Sequence, residues 1–352
     1  MSTIGNKEGM ITWQCPSNIA LVKYWGKHGR QMPNNCSISF TLKEAVTTTS
    51  ISYRIKKDLS DGIDFTFRFD GEEQPAFAKK IGIFLNDILS YFPFLTQYHL
   101  AIESRNTFPH SAGIASSASA MGALALCICS MEAACVEVGI SSSAFLERVS
   151  FIARLGSGSA CRSVYPHLAV WGLHPMIPFS SDEYAVPFDN AAPIFYTFRD
   201  TILIVSPEEK SVSSRAGHAL MDNNRYADIR YQQANDNIKR LVKCLMDGNV
   251  EEFGDIVEEE ALSLHALMMT SSPSYILMHP NTLAIIQAIR QYRKQTKLPI
   301  YFTLDAGPNV HVLYPAYISE QVLKFIEEKL LYLCTHNQIL HDSVGSGPKQ
   351  LE

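Results

Sequence analysis

The chain has 352 residues, 46% of them hydrophobic and 18% charged, and its formal net charge at pH 7 is −5. This composition is typical of a folded globular enzyme and excludes a disordered chain. The charges form no long run of one sign, so neither a nucleic-acid-binding surface nor a polybasic membrane patch is predicted. Single cores stop growing at about 250–300 residues, so the length predicts two domains.

The cysteines and the N-terminus indicate a cytoplasmic protein. The eight cysteines form no C-x-x-C pair and no cluster with zinc spacing, and most stand in apolar or small-residue surroundings. We therefore expect reduced, packed thiols. The opening MSTIGNKEGM lacks the apolar segment of a signal peptide. The most apolar run, AMGALALCICSM, is too short to span a bilayer and predicts a buried helix.

Strands and helices are mixed in the first half of the chain. Segments 46–55 and 63–69 carry alternating β-branched residues and are separated by the turn-forming pair Asp61-Gly62, which predicts a hairpin. The other elements of this half, predicted from the spacing of apolar residues, are helices at 76–92, 116–138 and 142–155 and strands at 98–104 and 168–173.

A stretch rich in proline and aspartate, PFSSDEYAVPFDNAAP at 178–193, is the best candidate boundary between two domains, 1–193 and 194–352. The elements predicted after it are strands at 201–206, 300–304 and 310–314 and near 337–342, two long helices within 218–269, and helices at 280–294 and 318–333. Strands that bracket helices in this order predict a compact α+β sandwich.

A loop rich in glycine and serine runs directly into a long helix in FPHSAGIASSASAMGALALC, residues 108–127. Free backbone N–H groups and the helix dipole make such a helix start an anion site. The hydroxyls of Ser116, Ser117 and Ser119 add donors or a Mg²⁺ ligand. The loop has no lysine at the P-loop position. From local physics alone, phosphate binding and a simple capped helix stay equally open.

Two further stretches place charged groups beside apolar strands. CPSNIALVKYWGK puts Lys23 on the same face as Leu21, close to Tyr24 and Lys27. The local pattern by itself favours an edge strand with a solvated lysine. YFTLDAGPN puts Asp305 at the end of an apolar strand, where the carboxylate can either cap its own turn or act in a cleft.

Serines accompany an arginine in two loops. ARLGSGSACRSVY contains Ser157, Ser159 and Arg162 and is either a flexible linker or the wall of a polar pocket. SVSSRAGHAL places Ser214 and Arg215 before a helix, as an N-cap or as an anion contact. The histidines form no H-x-x-x-H pair, and structural roles are expected for His110 and His311.

Taken together, these stretches closely resemble the diphosphomevalonate decarboxylases of the GHMP kinase superfamily. The matching motifs, in the family's order and spanning nearly the whole chain, are SNIALVKYWGK, NNCSISFTL, FPHSAGIASSASA, RLGSGSACRS, VSSR, DAGPN and VGSGP. The resemblance implies the α+β GHMP kinase fold, with a ribosomal-protein-S5-domain-2-like N-terminal domain carrying the phosphate loop, a C-terminal ferredoxin-like α+β domain, and the active site in the cleft between them.

The resemblance also implies a reaction. ATP phosphorylates the 3-hydroxyl of mevalonate 5-diphosphate in the presence of Mg²⁺, and loss of phosphate and CO₂ then gives isopentenyl diphosphate. The substrate is strongly anionic, so cations must flank it. We expect small-molecule ligands, no nucleic acid, no membrane, and a homodimer.

The residue roles that the resemblance implies fall into three groups. Asp305, Lys23 and Arg162 are implied to be catalytic: Asp305 faces the 3-hydroxyl as a base or electrostatic partner, and Arg162 holds the carboxylate. The residues implied to contact or position the substrate phosphates are Lys23, Tyr24, Ser157, Ser159, Ser214 and Arg215. The residues implied to cradle the ATP phosphates are Ser111, Ala112, Gly113, Ile114, Ala115, Ser116 and Ser117, with Ser116 or Ser117 as the Mg²⁺ ligand.

Other functions stay open at this point. The same fold could act on the monophosphate ester or phosphorylate a mevalonate-like hydroxyl without decarboxylation, although Asp305, Lys23 and Arg162 together favour decarboxylation of a diphosphate. An inactive binding relative is the alternative from another class. The segment Val164–Trp171 lacks the glycine pair usual in the family, so we expect the pocket wall beside Arg162 to differ there.

Overall fold

The computed structural model describes residues 7–57, 62–109, 114–136, 142–207 and 212–351. Its strands are β1 (Glu8–Val22), β2 (Lys27–His28), β3 (Met32–Pro33), β4 (Ser37–Ile55), β5 (Asp64–Phe69), β6 (Glu72–Glu73), β7 (Tyr98–Asn106), β8 (Leu168–Trp171), β9 (Ala185–Pro187), β10 (Phe198–Leu203), β11 (Tyr301–Leu304), β12 (Val310–Pro315), β13 (Ile339–Ser343) and β14 (Lys349–Gln350). Its helices are α1 (Pro75–Ile88), α2 (Ser116–Val136), α3 (Ser142–Gly156), α4 (Ser214–Ala219), α5 (Ala227–Asp247), α6 (Val250–Met269), α7 (Pro280–Thr296) and α8 (Ser319–Lys329). The predicted α+β composition is confirmed.

The two longest strands, β1 and β4, form the centre of the first sheet. They pair antiparallel, from Glu8 opposite Arg54 to Val22 opposite Ile38. The sheet order is β14-β1-β4-β7-β5-β6, with β8 paired to β4 and β9 to β8. The register shifts after Pro16, because proline has no amide hydrogen for the ladder.

The predicted hairpin of 46–55 and 63–69 is wrong. Strand β7 lies between β4 and β5, and β5 runs parallel to β7, with Asp64 opposite His99. Parallel neighbours need a crossover, which α1 provides between them. The alternation of each strand was interpreted correctly, but alternation does not specify a partner.

Helix α2 is the buried centre of the first half. It packs on β1 and β4 on one side and on α3 on the other, and side chains such as Ala125, Leu126 and Ile128 are fully buried. By length and composition it could cross a membrane, but two-thirds of it (67%) is buried inside the fold. A helix apolar on all sides is typical of a core position, so the predicted buried helix is confirmed.

The second sheet is antiparallel with the order β11-β12-β10-β13. Helices α7 and α8 cover one face, where Ile285 and Val322 pack with Phe302. Helices α5 and α6 pack toward the other face, and Gly254 of α6 lies so close to the ring of Tyr301 that a Cβ there would be 1.9 Å from it. The predicted layers of strands and helices are therefore present.

One hydrophobic core joins the two halves. Ile19 of β1 and Phe40 of β4 pack in the same buried cluster as Phe198, Phe253 and Ile256. The C-terminal end of β1 and the N-terminal end of β4 therefore pack against the second half of the chain. The domain boundary after residue 193 stays a prediction.

Candidate active site

Lys23 follows the last residue of β1 and is buried, with 1% of its surface exposed. Its Nζ donates a hydrogen bond to the carbonyl of Ala20 (2.6 Å), and its backbone amide donates to Oε2 of Glu260 (2.8 Å). Burial lowers the pKa of Lys23 to about 8, although the negative charges of Asp305 and Glu260 oppose this change. The interpretation of Lys23 as a solvated lysine on an edge strand is wrong.

Arg162 is the second buried cation, with 2% of its surface exposed. Its guanidinium donates to Oγ of Ser37 (2.6 Å) and Ser39 (3.0 Å) and to Oδ1 of Asn18 (3.3 Å), and it lies 5.8 Å from the ring centre of Trp171. Its partners in the described part of the chain are neutral, and it forms no ion pair there. A buried cation without a carboxylate partner is costly unless a ligand supplies the anion.

Asp305 stands just past β11 and is half-buried. Its backbone carbonyl accepts hydrogen bonds from the amide of Gly307 (2.7 Å) and from Nε2 of His265 (3.0 Å). The turn is therefore closed by the carbonyl, and no described residue donates to the carboxylate. The charge of Asp305 acts on both buried cations, since it partly offsets the lowering of the pKa of Lys23 and of Arg162 that burial causes.

The loop after α3 is a fixed wall of this site, so the interpretation as a flexible linker is wrong. A short 3-10 turn, Gly158–Arg162, follows Ser157. Nδ2 of Asn18 donates to the carbonyl of Ser159 (3.1 Å) and to Oγ of Ser163 (2.8 Å), which ties the loop to β1. A Cβ at Gly158 would lie 2.8 Å from the ring of Trp171 and 2.8 Å from the hydroxyl of Tyr24, so glycine permits this close packing.

Tyr24 lies between aromatic neighbours at the same place. Its ring centre is 4.6 Å from that of Trp171 and 4.4 Å from that of His218. Its hydroxyl is buried without a hydrogen-bond partner among the described residues. Trp171, the last residue of the segment Val164–Trp171, also packs against Arg162. The effect of this segment on substrate preference stays a prediction.

The start of α2 borders this wall. Ala115 has a positive φ of 47°, and its carbonyl accepts the amide of Ala118 (2.8 Å) in the first turn of the helix. Oγ of Ser117 lies 3.2 Å from Oγ of Ser157, and Ser116 begins α2 beside it. Residues 111–113 of the predicted phosphate loop, and His110, lie outside the described residues.

An apolar pocket adjoins Ser116 and Ser117, and the sequence interpretation missed it. Its lining residues are Thr49, Phe67, Phe69, Phe77, Lys80, Ile81, Ile102, Ser104, Asn106, Ser116, Ser117, Ala120, Met121 and Leu124. Phe67 and Phe69 alternate along β5 and both line the pocket, so this alternation could have indicated an apolar site. Largely apolar pockets with a few polar groups are typical of ligand sites.

Ser214 and Arg215 are exposed on α4. The N-cap of this helix is Ser213, whose Oγ accepts the amide of Ala216 (3.2 Å), and the side chains of Ser214 and Arg215 make no hydrogen bond to another residue that the structure describes. Burial, with a smaller effect of the positive charge on Arg215, lowers the pKa of Lys27. The two cations therefore face a common region.

His218 fastens α4 to the segment after β1. Its Nδ1 accepts the amide of Gly26 (3.0 Å), and its ring packs against that of Trp25 in a tilted arrangement with the centres 4.5 Å apart. Burial lowers the pKa of His218 to about 3, so the ring is neutral at physiological pH. The sequence interpretation missed this residue, and it also missed Asn18, Ser37 and Ser39, although serines alternating along a buried strand were a signal.

Among the residues that the structure describes, no three His, Cys, Asp or Glu side chains are grouped to hold a metal ion. His311 is buried and its Nδ1 lies 2.7 Å from Oδ2 of Asp200, in agreement with a structural role.

Comparison with known proteins places the whole chain in one group. Residues 15–175 match the family model for the diphosphomevalonate decarboxylase-like N-terminal domain, and residues 201–345 match that for the mevalonate 5-diphosphate decarboxylase C-terminal domain. The diphosphomevalonate decarboxylase of Gibberella zeae is 30% identical over 314 residues, covering 85% of this chain and 79% of that relative.

Solved structures agree with the sequence match. The crystal structure of mevalonate diphosphate decarboxylase from Staphylococcus aureus has a TM-score of 0.84 at 27% identity and covers 98% of both chains. The complex of MDDEF with MVAPP, AMPPCP and magnesium has a TM-score of 0.81 at 28% identity and covers 97% of this chain and 99% of the other. The likeness extends over both halves of the chain and the region between them.

Proposed function

The chain belongs to the diphosphomevalonate decarboxylase family, and we propose how its residues carry out the ATP-dependent decarboxylation of mevalonate 5-diphosphate. One observation carries the assignment: Lys23 and Arg162 are both buried, and the guanidinium of Arg162 has only neutral hydrogen-bond partners among the described residues, while Asp305 stands just past β11 as the carboxylate whose charge acts on both cations. Two buried cations and one carboxylate suit a substrate that is anionic at both ends and reacts at a hydroxyl between them.

Arg162 holds the substrate carboxylate. Its guanidinium is positioned by three neutral acceptors and stacked on Trp171, so its orientation is fixed before the substrate binds. The planar fork matches a carboxylate in a bidentate manner. Holding the carboxylate orients the bond that breaks when CO₂ leaves.

Asp305 faces the 3-hydroxyl. It accepts the hydroxyl proton as the γ-phosphoryl group of ATP is transferred to the oxygen. When the phosphate departs, positive character develops at the tertiary carbon, and the carboxylate stabilises it. The electron pair of the breaking bond to CO₂ then forms the double bond of isopentenyl diphosphate.

The substrate diphosphate lies among Lys23, the polar wall and α4. The groups that contact or position it are Lys23, Tyr24, Ser157, Ser159, Ser214 and Arg215. The buried hydroxyl of Tyr24 and the exposed guanidinium of Arg215 are both available for a phosphate oxygen.

ATP binds at the start of α2. Its phosphates lie against the 111–117 loop and the helix N-terminus, and its base enters the apolar pocket beside Ser116 and Ser117. The serine hydroxyls there are hard oxygen donors of the kind Mg²⁺ takes together with phosphates and water, and the described residues hold no carboxylate cluster that would replace them. Ser117, or Ser116 beside it, would hold Mg²⁺, which neutralises phosphate charge when bound.

We further infer that the protein is a homodimer in the cytoplasm. All eight cysteines are free and buried, which suits a reducing compartment. Leu173, Met176 and Phe179 of one loop are exposed by 68%, 49% and 88%, and exposed apolar clusters are typical of protein interfaces. Sedimentation of the protein and of Phe179→Ser tests the dimer.

The decisive experiment supplies ATP, Mg²⁺ and mevalonate 5-diphosphate or the 5-phosphate, and follows ADP and CO₂. We expect equal release of both products with the diphosphate and neither with the monophosphate. Release of ADP without CO₂ would identify a kinase. Release of CO₂ from the monophosphate would show that the 5-phosphate is a substrate. Absence of any thermal shift with both ligands would contradict binding altogether.

A further inference from the structure

We propose that Glu260, on helix α6, is a positioning residue that fixes Lys23 at the active site through a hydrogen bond to its backbone amide. This inference rests on the proposed role of Lys23 in substrate binding. Glu260 does not belong to any of the motifs that carry the family resemblance.

The side chain of Glu260 is completely buried, and both of its carboxylate oxygens accept hydrogen bonds. Oε2 accepts the amide of Lys23 (2.8 Å) and a hydrogen bond from Nη2 of Arg230. Oε1 accepts Nη1 of Arg230 (2.9 Å) and Nδ2 of Asn237 (2.8 Å). Three donors on α5 and the amide of Lys23 therefore hold the carboxylate in one position.

The amide of Lys23 needs such an acceptor. The pairing of β1 with β4 ends at Val22 opposite Ile38, so the next amide has no partner in the ladder. Nδ2 of Asn35 donates to the carbonyl of Lys23 (3.0 Å), which holds the other side of the same residue. Glu260 and Asn35 together fix the backbone from which the ammonium group projects.

Glu260 also contributes to the charge around Lys23. The charged groups that act on this lysine are Asp305, Glu260, Asp200 and Arg162. The three carboxylates favour the protonated lysine, whereas burial and Arg162 oppose it, and its pKa is lowered to about 8. Without the charge of Glu260, the pKa of Lys23 falls further, so the lysine loses its proton at lower pH.

The helix offers a matched control in Glu258. It is also buried and paired, with Nε of Arg290 (3.0 Å) and Nη1 of Arg293 (2.6 Å), but it makes no contact with Lys23. The first test compares the pH profiles of kcat/KM for Glu260→Gln and Glu258→Gln. We expect the alkaline limb of Glu260→Gln to move to lower pH by roughly half a unit or more, and that of Glu258→Gln to stay in place.

A second pair of variants, Glu260→Asp and Glu258→Asp, separates the effect of position from that of charge. It also provides the test if Glu260→Gln does not fold. Glu260→Asp keeps the charge but shortens the reach to the amide of Lys23, so kcat falls about tenfold or more with the alkaline limb unmoved. Glu258→Asp keeps kcat within about twofold. The proposal is overturned if folded Glu260→Asp retains full kcat, or if the Glu260 and Glu258 variants change the profile equally.

Lys23→Met separates the role of Lys23 in substrate binding from the role of Glu260 in positioning it. If this variant keeps wild-type activity and alkaline limb, the proposed role of Lys23 fails. If Lys23→Met is inactive while the Glu260 variants behave like the wild type, only the positioning role of Glu260 fails.

Discussion

The hydroxyl of Ser117, in the first turn of α2, lies 3.2 Å from the hydroxyl of Ser157, at the start of the loop after α3. These serines are forty positions apart in the sequence. The contact brings the segment proposed to bind ATP directly against the segment proposed to bind the substrate. Phosphoryl transfer requires such closeness, because donor and acceptor oxygens must be held in line.

Removing the carboxylate charge of Asp305 should stop catalysis without unfolding the protein. We expect Asp305→Asn to lower kcat by about 10²–10⁴-fold, the usual contribution of a positioned base. The turn after β11 is held by the backbone carbonyl of residue 305, which the substitution keeps. Steady-state rates measure the loss, and Asp255→Asn, an exposed change on α6, is the control. A kcat for Asp305→Asn within about threefold of the wild-type value would contradict the role of Asp305.

Arg162→Lys should weaken binding of the substrate carboxylate. The substitution keeps a cation but loses the fork, and a hydrogen bond to a charged group contributes about 1.5–3 kcal/mol. We therefore expect KM for mevalonate 5-diphosphate to rise by about 10- to 100-fold, with KM for ATP little changed. Arg148→Lys, which alters the partly buried ion pair with Glu132 away from the site, should leave both constants unchanged. An unchanged KM in Arg162→Lys would place the carboxylate elsewhere.

Lys23 should lower the free energy of unfolding of the ligand-free protein, and this effect should depend on pH. Its pKa falls from 10.5 in the unfolded chain to about 8, so burying its charge costs about 3 kcal/mol at pH 7. Between pH 8 and 10.5 the unfolded chain binds more protons at this site, so wild-type stability rises with pH there. We expect inactive Lys23→Met to be the more stable protein at pH 7, by up to this amount, and the difference to shrink toward pH 10.5. Denaturant unfolding at several pH values checks this. A constant difference across the range would show that the charge is not the cause.

Filling the apolar pocket should exclude the nucleotide and spare the other substrate. Ala120 lies in the wall of this pocket, and Ala120→Trp should raise KM for ATP at least about tenfold. Thermal shifts with mevalonate 5-diphosphate alone should persist. The control is Ile83→Trp, at an exposed position of α1 outside the pocket. A folded Ala120→Trp protein with wild-type affinity for ATP would place the base in another pocket.

The residues proposed to be catalytic each stand out locally, although the local pattern left a structural role open for all three. Lys23 interrupts an apolar face, Arg162 is an isolated cation among small residues, and Asp305 ends an apolar strand. The resemblance to a known family then joined them. The predicted helices agree with α2, α3 and α7 to within a few residues, because the spacing of apolar residues reflects the period of the helix.

The supporting groups could not be found in this way. Glu258 and Glu260 stand in the acidic run Glu258–Glu260, which by itself indicates a solvated helix face. Both are buried because arginines from other helices reach them, Arg230 from α5 and Arg293 from α7. The sequence of the acidic run itself does not indicate that arginines of other helices pair with it.

The sequence by itself determined the periodic elements, the isolated polar residues of the site and the family. Only the tertiary structure decided that β5 pairs with β7 rather than β4, that Lys23 is buried, and that Glu260 holds its amide. The reason is physical: hydrophobic period and local charge are properties of neighbouring residues, whereas strand partners, burial and ion pairs depend on which distant segments the core brings together.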